Sequence, residues 1–226
     1  MVSPAADSEA AAFYDLAATA CAVRRFRPDP VPDDVLARCL RAATWAPSGS
    51  NAQPWRMCVL RSPEVRRILG PAYRRGFADL IERYGTDLDR DTRAARTGRA
   101  TRDMVENFEA VPLYVLLCLR DHRGDRGPAA HRSPDHIVGA SVFPAMQNLI
   151  LALRAEGLGT VPTTWFRHCE EELRAKIGIP DHWEPAVLLP VGYPRGRHVP
   201  VRRRPVADMA CDERWTTPFQ AGSARE

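Results

Sequence analysis

The chain has 226 residues, 45% of them hydrophobic, with 32 basic against 28 acidic residues and a formal net charge of +4. This apolar content is enough for a normal core and excludes a disordered chain. The longest uninterrupted apolar run, Leu113 to Leu119, is too short to cross a membrane, so we expect no membrane partner.

The predicted elements follow the chain from an N-terminal helix to a long arm. In the first half, the pattern predicts a helix over 8–20 capped by Ser8, a helix over 33–45 and a strand over 57–61. A short helix then begins at Ser62-Pro63 and ends at Gly70, and the charged stretch over 71–110 is predicted to be helical in pieces. The helix over 33–45 has its apolar residues at helical spacing, and Pro47 ends it.

The second half holds the most apolar helix. The pattern predicts a strand over 112–119, a polar loop over 121–134, a helix over 135–156, an extended linker over 160–166, a helix over 170–177 and a strand over 185–191. Pro144 predicts a kink in the helix over 135–156 or two abutting helices. The nearly all-round apolar surface of this segment indicates a core or a subunit interface. Strands joined by long connections predict an α+β fold, in one domain over 1–226 with an N-terminal helix over 1–20 and a C-terminal arm over 195–226.

Composition also bears on partners and location. Every basic residue except Lys176 is arginine, which binds phosphates well, so a nucleic-acid-binding protein is an outside hypothesis. The arginines are mixed with acidic residues, as over 87–102, and no recognition motif accompanies them, so we expect no nucleic-acid partner.

The cysteines and histidines lack metal-ligand spacing, so no metal is expected. The N-terminus contains Asp7 and Glu9 and lacks the positive region followed by an apolar region that is typical of a signal peptide. A cytoplasmic location is therefore the default expectation.

The most informative stretch is A-P-S-G-S-N-A-Q-P-W over residues 46–55. It lies between a predicted helix and a predicted strand, so it is a loop held at both ends. Its amide side chains carry donors and acceptors, which suit the edge of a flavin or a pyrimidine-like ring. On composition alone, an ordinary polar loop would be the better interpretation, but the order of the residues favours a binding loop.

That order resembles the nitroreductase family of flavoproteins. The V-R-R-F-R-P segment over 23–28, the G-A-S and Q-N-L segments of the central helix, the G-L-G-T turn over 157–160 and the closing G-Y-P and R-R-R-P segments resemble the family's other motifs, in the same order. The resemblance implies a nitroreductase-like fold, with a central, mostly antiparallel sheet flanked by helices. It also implies FMN at the interface of a homodimer and a C-terminal arm that wraps the partner subunit.

The resemblance further implies roles for individual residues. The FMN phosphate would be held by arginines, and the ribityl or ring region by the 46–55 loop, with a backbone N–H of Thr164 pointing at flavin N5. Cys21 stands where the family usually has a basic residue that serves the phosphate. The complete cofactor set implied is Arg24, Arg25, Pro47, Ser48, Gly49, Asn51, Gln53, Pro162, Thr163, Thr164, Arg202 and Arg203.

The activity implied is that of an FMN-dependent oxidoreductase with a two-step, ping-pong exchange. NAD(P)H would reduce the flavin and leave, and a nitroaromatic, a quinone or a similar electrophilic acceptor would then take the electrons. Two alternatives stay open. One is a specialised enzyme of the same fold, which acts as a biosynthetic dehydrogenase or cleaves a substituent reductively. The other is a flavin-binding protein without catalysis.

Overall fold

The computed structural model describes residues 4–85, 87–120 and 135–219. Within these residues the helices and strands, in chain order, are α1 (Pro4–Thr19), α2 (Asp33–Thr44), β1 (Trp55–Leu60), α3 (Pro63–Tyr84), α4 (Arg93–Glu106), β2 (Leu113–Arg120), α5 (Asp135–Ala155), β3 (Gly159–Thr160), α6 (Glu170–Ile177) and β4 (Trp183–Gly192). The predicted polar loop over 121–134 lies outside the described residues.

One antiparallel sheet organises the fold, with strand order β1-β2-β4-β3. Residues 113–118 of the central strand β2 are all buried, and their side chains alternate between two apolar clusters. Tyr114, Leu116 and Cys118 face one cluster, while Leu113 and Val115 face the other. Because successive side chains of a strand point to opposite faces, this alternation places a hydrophobic layer on each side of the sheet.

Helices cover both layers, so the predicted α+β fold is confirmed. On one face, α3, α4 and α6 contribute Tyr73, Met104 and Leu173 to the first cluster. On the other, α2 and α5 contribute Leu36 and Leu149 to the second. The remaining surface of α5 is only partly covered within the chain, and Phe143 on it is 50% exposed.

The predicted stop at Gly70 is wrong, because α3 continues through Gly70 and Pro71 to Tyr84. The prediction of the helix start is confirmed: Ser62 caps it, accepting from the Val65 N–H, with proline in the first turn. A proline inside a helix costs about 3 kcal/mol. Here burial of the helix face that includes Leu69 and Tyr73 offsets that cost.

Three further predictions need correction. Ser8 lies inside α1 rather than at its N-cap. The helix α5 runs through Pro144 as one helix rather than as two abutting helices, and the kink stays a prediction. The 160–166 stretch, predicted as an extended linker, instead begins in strand β3, pairs through Thr163 with Leu188 and enters a 3-10 helix over Trp165–Cys169. A two-residue strand carries no period that a sequence could show.

The C-terminal segment follows the chain's own N-terminal region. After β4, the only helical turn in the described residues is a 3-10 turn at Val206–Asp208. The Val201 N–H donates to the Ala18 carbonyl at 2.8 Å, which ties the arm to the end of α1. Wrapping of a partner subunit by this arm stays a prediction.

Among the described residues, no helix combines the length and apolarity needed to cross a membrane.

Candidate functional site

The loop between α2 and β1 has an unusual backbone. Ser50, Asn51 and Gln53 have φ values of 52°, 53° and 47°, the left-handed region that non-glycine residues rarely adopt. Such a residue costs about 1–3 kcal/mol, and strain of this kind concentrates at binding sites. Three of the four non-glycine residues with positive φ in the described chain therefore lie in this loop.

Hydrogen bonds fix the loop in this shape. The Ser48 Oγ accepts from the Gln53 N–H at 3.0 Å, and the Gly49 N–H donates to the Ser141 Oγ of α5 at 3.3 Å. The side-chain amides of Asn51 and Gln53 are exposed, with Gln53 reaching the Asn51 carbonyl at 3.4 Å. Pro47 and Gly49 are exposed too. The loop therefore presents amide donors and acceptors on a rigid frame, as its sequence suggested.

Trp55, which follows the loop, does not belong to this exposed surface. It is buried in the cluster beneath α2 and α5. Trp55 therefore packs in the core.

The second part of the predicted site is the turn over 162–166. The Thr163 backbone exchanges hydrogen bonds with Leu188 in both directions at 2.9 Å, and its hydroxyl donates to the Leu188 carbonyl at 2.8 Å. Thr163 is thus occupied with the protein's own structure. Pro162 and Thr164 are exposed, and the Thr164 N–H has no hydrogen-bond partner in residues 4–85, 87–120 and 135–219. A donor is therefore available at the predicted position.

Among the predicted arginines, Arg24 has a shifted pKa. It is partly buried, and desolvation lowers the pKa of its guanidinium, against a smaller raising effect from Cys21. In the described part of the chain, no carboxylate pairs with it. A desolvated cation without a counter-ion is stabilised by an incoming anion. The site thus fits a phosphate group at this point.

The other predicted arginines are more exposed. Arg25 forms an ion pair with Asp103 of α4 at 3.3 Å, so a phosphate would compete with that carboxylate. Arg202 and Arg203 are exposed next to Val201, and Arg203 donates to the Arg202 carbonyl at 3.1 Å. The bond from Val201 to Ala18 brings both onto the side of the molecule where residues 18–25 lie.

The predicted site residues fall into two groups at opposite ends of α5. The loop touches Ser141 near the beginning of this helix, whereas Arg154 near its end donates to Thr19, just before the arginine segment. Thirteen residues at 1.5 Å each put these contacts about 20 Å apart. The segment at Ala22 also pairs with Thr160 of β3, at the sheet edge that leads to Thr164. Within one chain, the arginine segment and the 162–164 turn therefore lie on the same side of the molecule. The 46–55 loop lies elsewhere, near the beginning of α5.

The structure adds Arg195 to the arginine group. Its side-chain Nε donates to the Phe26 carbonyl at 3.0 Å, and its backbone N–H donates to the Arg25 carbonyl. It lines a cavity of about 70 Å³ together with Arg24, Asp103 and Asn107. Arg195 directly follows the closing G-Y-P motif, which is the signal that could have identified it from sequence.

A metal site would need acidic, histidine or cysteine side chains grouped together. Within the residues that the structure describes, no group of three or more of them could hold a metal ion.

Comparison with known proteins gives a consistent result. Residues 19–193 match the Nitroreductase family. The chain is 31% identical to iodotyrosine deiodinase 1 of Rattus norvegicus over 201 residues, which cover 87% of this chain and 67% of the rat protein. It is 30% identical to NADH dehydrogenase of Thermus thermophilus over 191 residues, covering 81% of this chain and 87% of that protein. Matches to several other iodotyrosine deiodinases span 60 to 62% of those proteins' length.

A solved structure shows the same fold. It is an oxidized iodotyrosine deiodinase bound to FMN and 3-iodo-L-tyrosine, with 27% sequence identity and a TM-score of 0.65. The similarity covers 90% of this chain and 98% of that one. The two folds therefore correspond over nearly the whole chain.

Proposed function

Since this chain belongs to the nitroreductase family, we propose that it is an FMN-dependent oxidoreductase. It takes electrons from NAD(P)H and passes them to a small electrophilic acceptor such as a nitroaromatic or a quinone. The observation that carries this proposal is the pairing of two unsatisfied groups on one side of the chain. In the part of the chain that the structure describes, Arg24 is a desolvated guanidinium with no acidic partner, and the Thr164 backbone N–H has no hydrogen-bond partner.

In this proposal each group of residues has a distinct task. Arg24 binds the phosphate of FMN, with Arg25, Arg202 and Arg203 as further cations, because a guanidinium matches phosphate oxygens by geometry as well as charge. The Thr164 N–H donates toward flavin N5 and stabilises charge there. When bound, the flavin supplies the electron-transfer chemistry that protein side chains lack. No side-chain acid or base is required.

We further propose a homodimer in which each site combines the arginine side of one protomer with the 47–53 loop of the other. The separation of about 20 Å along α5 supports this arrangement, because it places the loop and the end of α5 next to the arginine segment at different positions of one protomer. Large apolar side chains that are exposed in the single chain also support it, because a subunit interface would cover them. They include Phe13, Tyr14, Trp45, Phe143, Met209 and Trp215.

A mixed dimer tests the shared site. Arg24→Ala and the double variant Asn51→Ala/Gln53→Ala should each bind FMN weakly as homodimers. A heterodimer of the two, purified through different tags, then contains one intact site and one doubly defective site. FMN bound at one per heterodimer supports the proposal. A heterodimer as poor in FMN as both parents would show that each protomer builds its own site.

A second candidate reaction is reductive removal of a halogen from an aromatic ring. The similarity to iodotyrosine deiodinases, at 31% identity over 87% of this chain, supports it. In such a reaction the carbon–iodine bond breaks, iodide leaves and a carbon–hydrogen bond forms, with two electrons from NAD(P)H and a proton from water. It keeps the cofactor and site residues above and changes only the acceptor.

The decisive experiment begins with the purified protein. A yellow flavin spectrum that NAD(P)H bleaches under anaerobic conditions supports the oxidoreductase, whereas a protein that does not bind added FMN would contradict it. Rapid reoxidation by a quinone or nitroaromatic supports the first reaction. Iodide release from 3-iodo-L-tyrosine without such reoxidation supports the second. Bound flavin that no donor reduces would instead indicate a binding protein.

A further inference from the structure

Tyr73 of α3 makes a hydrogen bond to a residue 90 positions away. Its side chain is fully buried, and its hydroxyl contacts the Thr163 Oγ1. The Thr163 hydroxyl donates its single proton to the Leu188 carbonyl at 2.8 Å. Tyr73 is therefore the donor in the bond to Thr163, since a hydroxyl has one proton to give. The result is a directed chain from α3 through Thr163 to β4.

The phenol of Tyr73 remains protonated in this environment. Burial raises its pKa far above the ordinary value, and this effect exceeds the opposite effects of the Thr163 hydrogen bond and the Phe166 backbone amide. A group with so high a pKa does not exchange protons with a substrate at neutral pH. Tyr73 therefore acts as a fixed hydrogen-bond donor.

The residues on both sides of Thr164 contact the same side chain of α3, Tyr73. Before it, Thr163 is held by Tyr73 and by the exchange of backbone hydrogen bonds with Leu188. After it, the Trp165 indole packs edge to face against the Tyr73 ring, with centroids 5.8 Å apart and planes at 73°. Thr164 itself is exposed and its N–H has no partner in the described residues. Its orientation is thus set by its two neighbours.

We propose that Tyr73 is a positioning residue that aims the Thr164 N–H into the cofactor site. This inference rests on the proposed function, in which that N–H donates to flavin N5. A donor stabilises charge most when its direction is fixed before the reaction. Loss of the Tyr73 hydroxyl therefore weakens the stabilisation of the reduced cofactor, although Tyr73 itself does not reach the solvent-exposed surface.

The test compares two tyrosines of the same core. Tyr73→Phe removes the bond to Thr163. Tyr114→Phe is the matched control, because Tyr114 is equally buried and donates to the Phe108 carbonyl, away from the 162–166 turn. Both rings stack on Phe108, with centroids 3.8 and 5.1 Å away. The two variants therefore disturb the core similarly, and only the first loosens the turn.

Two measurements decide the outcome. In the FMN-loaded protein, we expect Tyr73→Phe to lower the ratio of reduced-flavin to oxidised-flavin affinity about tenfold, a shift of about 30 mV in the two-electron midpoint potential. In the protein without FMN, hydrogen exchange of peptides covering 163–166 should accelerate about tenfold or more, which corresponds to the loss of about 1.4 kcal/mol of protection. Tyr114→Phe should change neither.

The possible results separate this inference from the proposed function. A yellow protein in which Tyr73→Phe and Tyr114→Phe have the same potential and exchange rates overturns this inference alone. A wild-type protein that does not bind FMN overturns the proposed function and this inference with it. If Tyr73→Phe does not fold, Thr163→Val takes its place; it removes the bond to Tyr73 together with the bond from the Thr163 hydroxyl to Leu188. Thr163→Ser, which retains the hydroxyl, should then restore the potential.

Discussion

Trp165 lies directly against Gly76 of α3. A Cβ added at Gly76 would come within 2.9 Å of three atoms of the Trp165 side chain. Glycine at this position of the helix therefore lets the indole pack flat on α3, where it also meets the rings of Tyr73 and Phe77. The contact joins α3 to the turn that carries Thr164.

Substitution of this glycine should destabilise the protein. In an open helix, Gly→Ala stabilises by about 0.5–1 kcal/mol. At Gly76 the added methyl group must displace the indole, and overpacking of this kind costs about 1–3 kcal/mol. We expect Gly76→Ala to lower the free energy of unfolding by about 1–2 kcal/mol, measured by urea denaturation.

Gly196→Ala is the control for this substitution. No heavy atom lies within 4 Å of a Cβ built there, and the position is exposed. We expect its stability to change by less than about 0.5 kcal/mol. Equal stability of Gly76→Ala and Gly196→Ala would show that the Trp165 contact is not tight.

Local patterns predicted the elements that depend on local chemistry. The periodic apolar residues of α2 predicted that helix, and the proline at the start of α3 marked its first turn. The end of α3 was missed, because Gly70 and Pro71 favour a stop and burial of Tyr73 against the sheet outweighs them. Helix ends that tertiary packing decides are not encoded within a short window.

The candidate site shows the same limit. The order of residues in the 46–55 loop predicted a binding loop, but nothing local shows that it lies about 20 Å along α5 from the arginine side. That separation follows from which positions of α5 contact the loop and residue 19, contacts that join residues far apart in the sequence. The bond from Tyr73 to Thr163 was missed for the same reason.

Arg24 should contribute to FMN affinity through the phosphate alone. A hydrogen bond to a charged group contributes about 1.5–3 kcal/mol. We therefore expect Arg24→Ala to weaken FMN binding about tenfold to 100-fold while leaving riboflavin binding unchanged, because riboflavin lacks the phosphate. Quenching of flavin fluorescence during titration of the FMN-free protein measures both.

Arg27→Ala is the matched control for Arg24→Ala. Arg27 is on the same segment but exposed, paired with Asp29 at 2.6 Å and placed over the Tyr193 ring. It should bind both flavins like the wild type. Equal losses of FMN and riboflavin in Arg24→Ala would place Arg24 away from the phosphate.

His198 should make stability depend on pH. Burial, and secondarily the charge of Arg154, lower the pKa of His198, with a smaller opposing effect from the Gly157 backbone. Below the unfolded pKa of about 6.5, the unfolded chain binds a proton that the folded chain binds less readily. The folded state therefore loses stability as the pH falls through that value.

Urea unfolding at pH 7.5 and pH 5.5 measures this effect. The decrease in stability should be smaller in His198→Gln than in the wild type, because carboxylates contribute equally to both. His182→Gln, at an exposed histidine, should behave like the wild type. Identical decreases in all three proteins would exclude His198 as a contributor.

Cys21 offers a gain-of-affinity prediction. The sequence resemblance places Cys21 where a basic residue is expected, and Cys21 is close enough to Arg24 to raise the pKa of that guanidinium. An arginine there would put a second guanidinium beside the first. Without FMN the two cations repel, and the larger side chain disturbs the apolar cluster on which Cys21 packs. With FMN, each cation has the phosphate as a partner.

Without FMN, we therefore expect Cys21→Arg to unfold more readily than the wild type. We also expect it to bind FMN about tenfold more tightly, because one charge-assisted hydrogen bond is added. Titrations at low and high salt should show a steeper loss of affinity with salt than in the wild type, because the added interaction is between charges. Cys21→Gln, of similar length but neutral, separates charge from size. FMN affinity that rises equally in both variants, or in neither, would contradict a phosphate site beside Cys21.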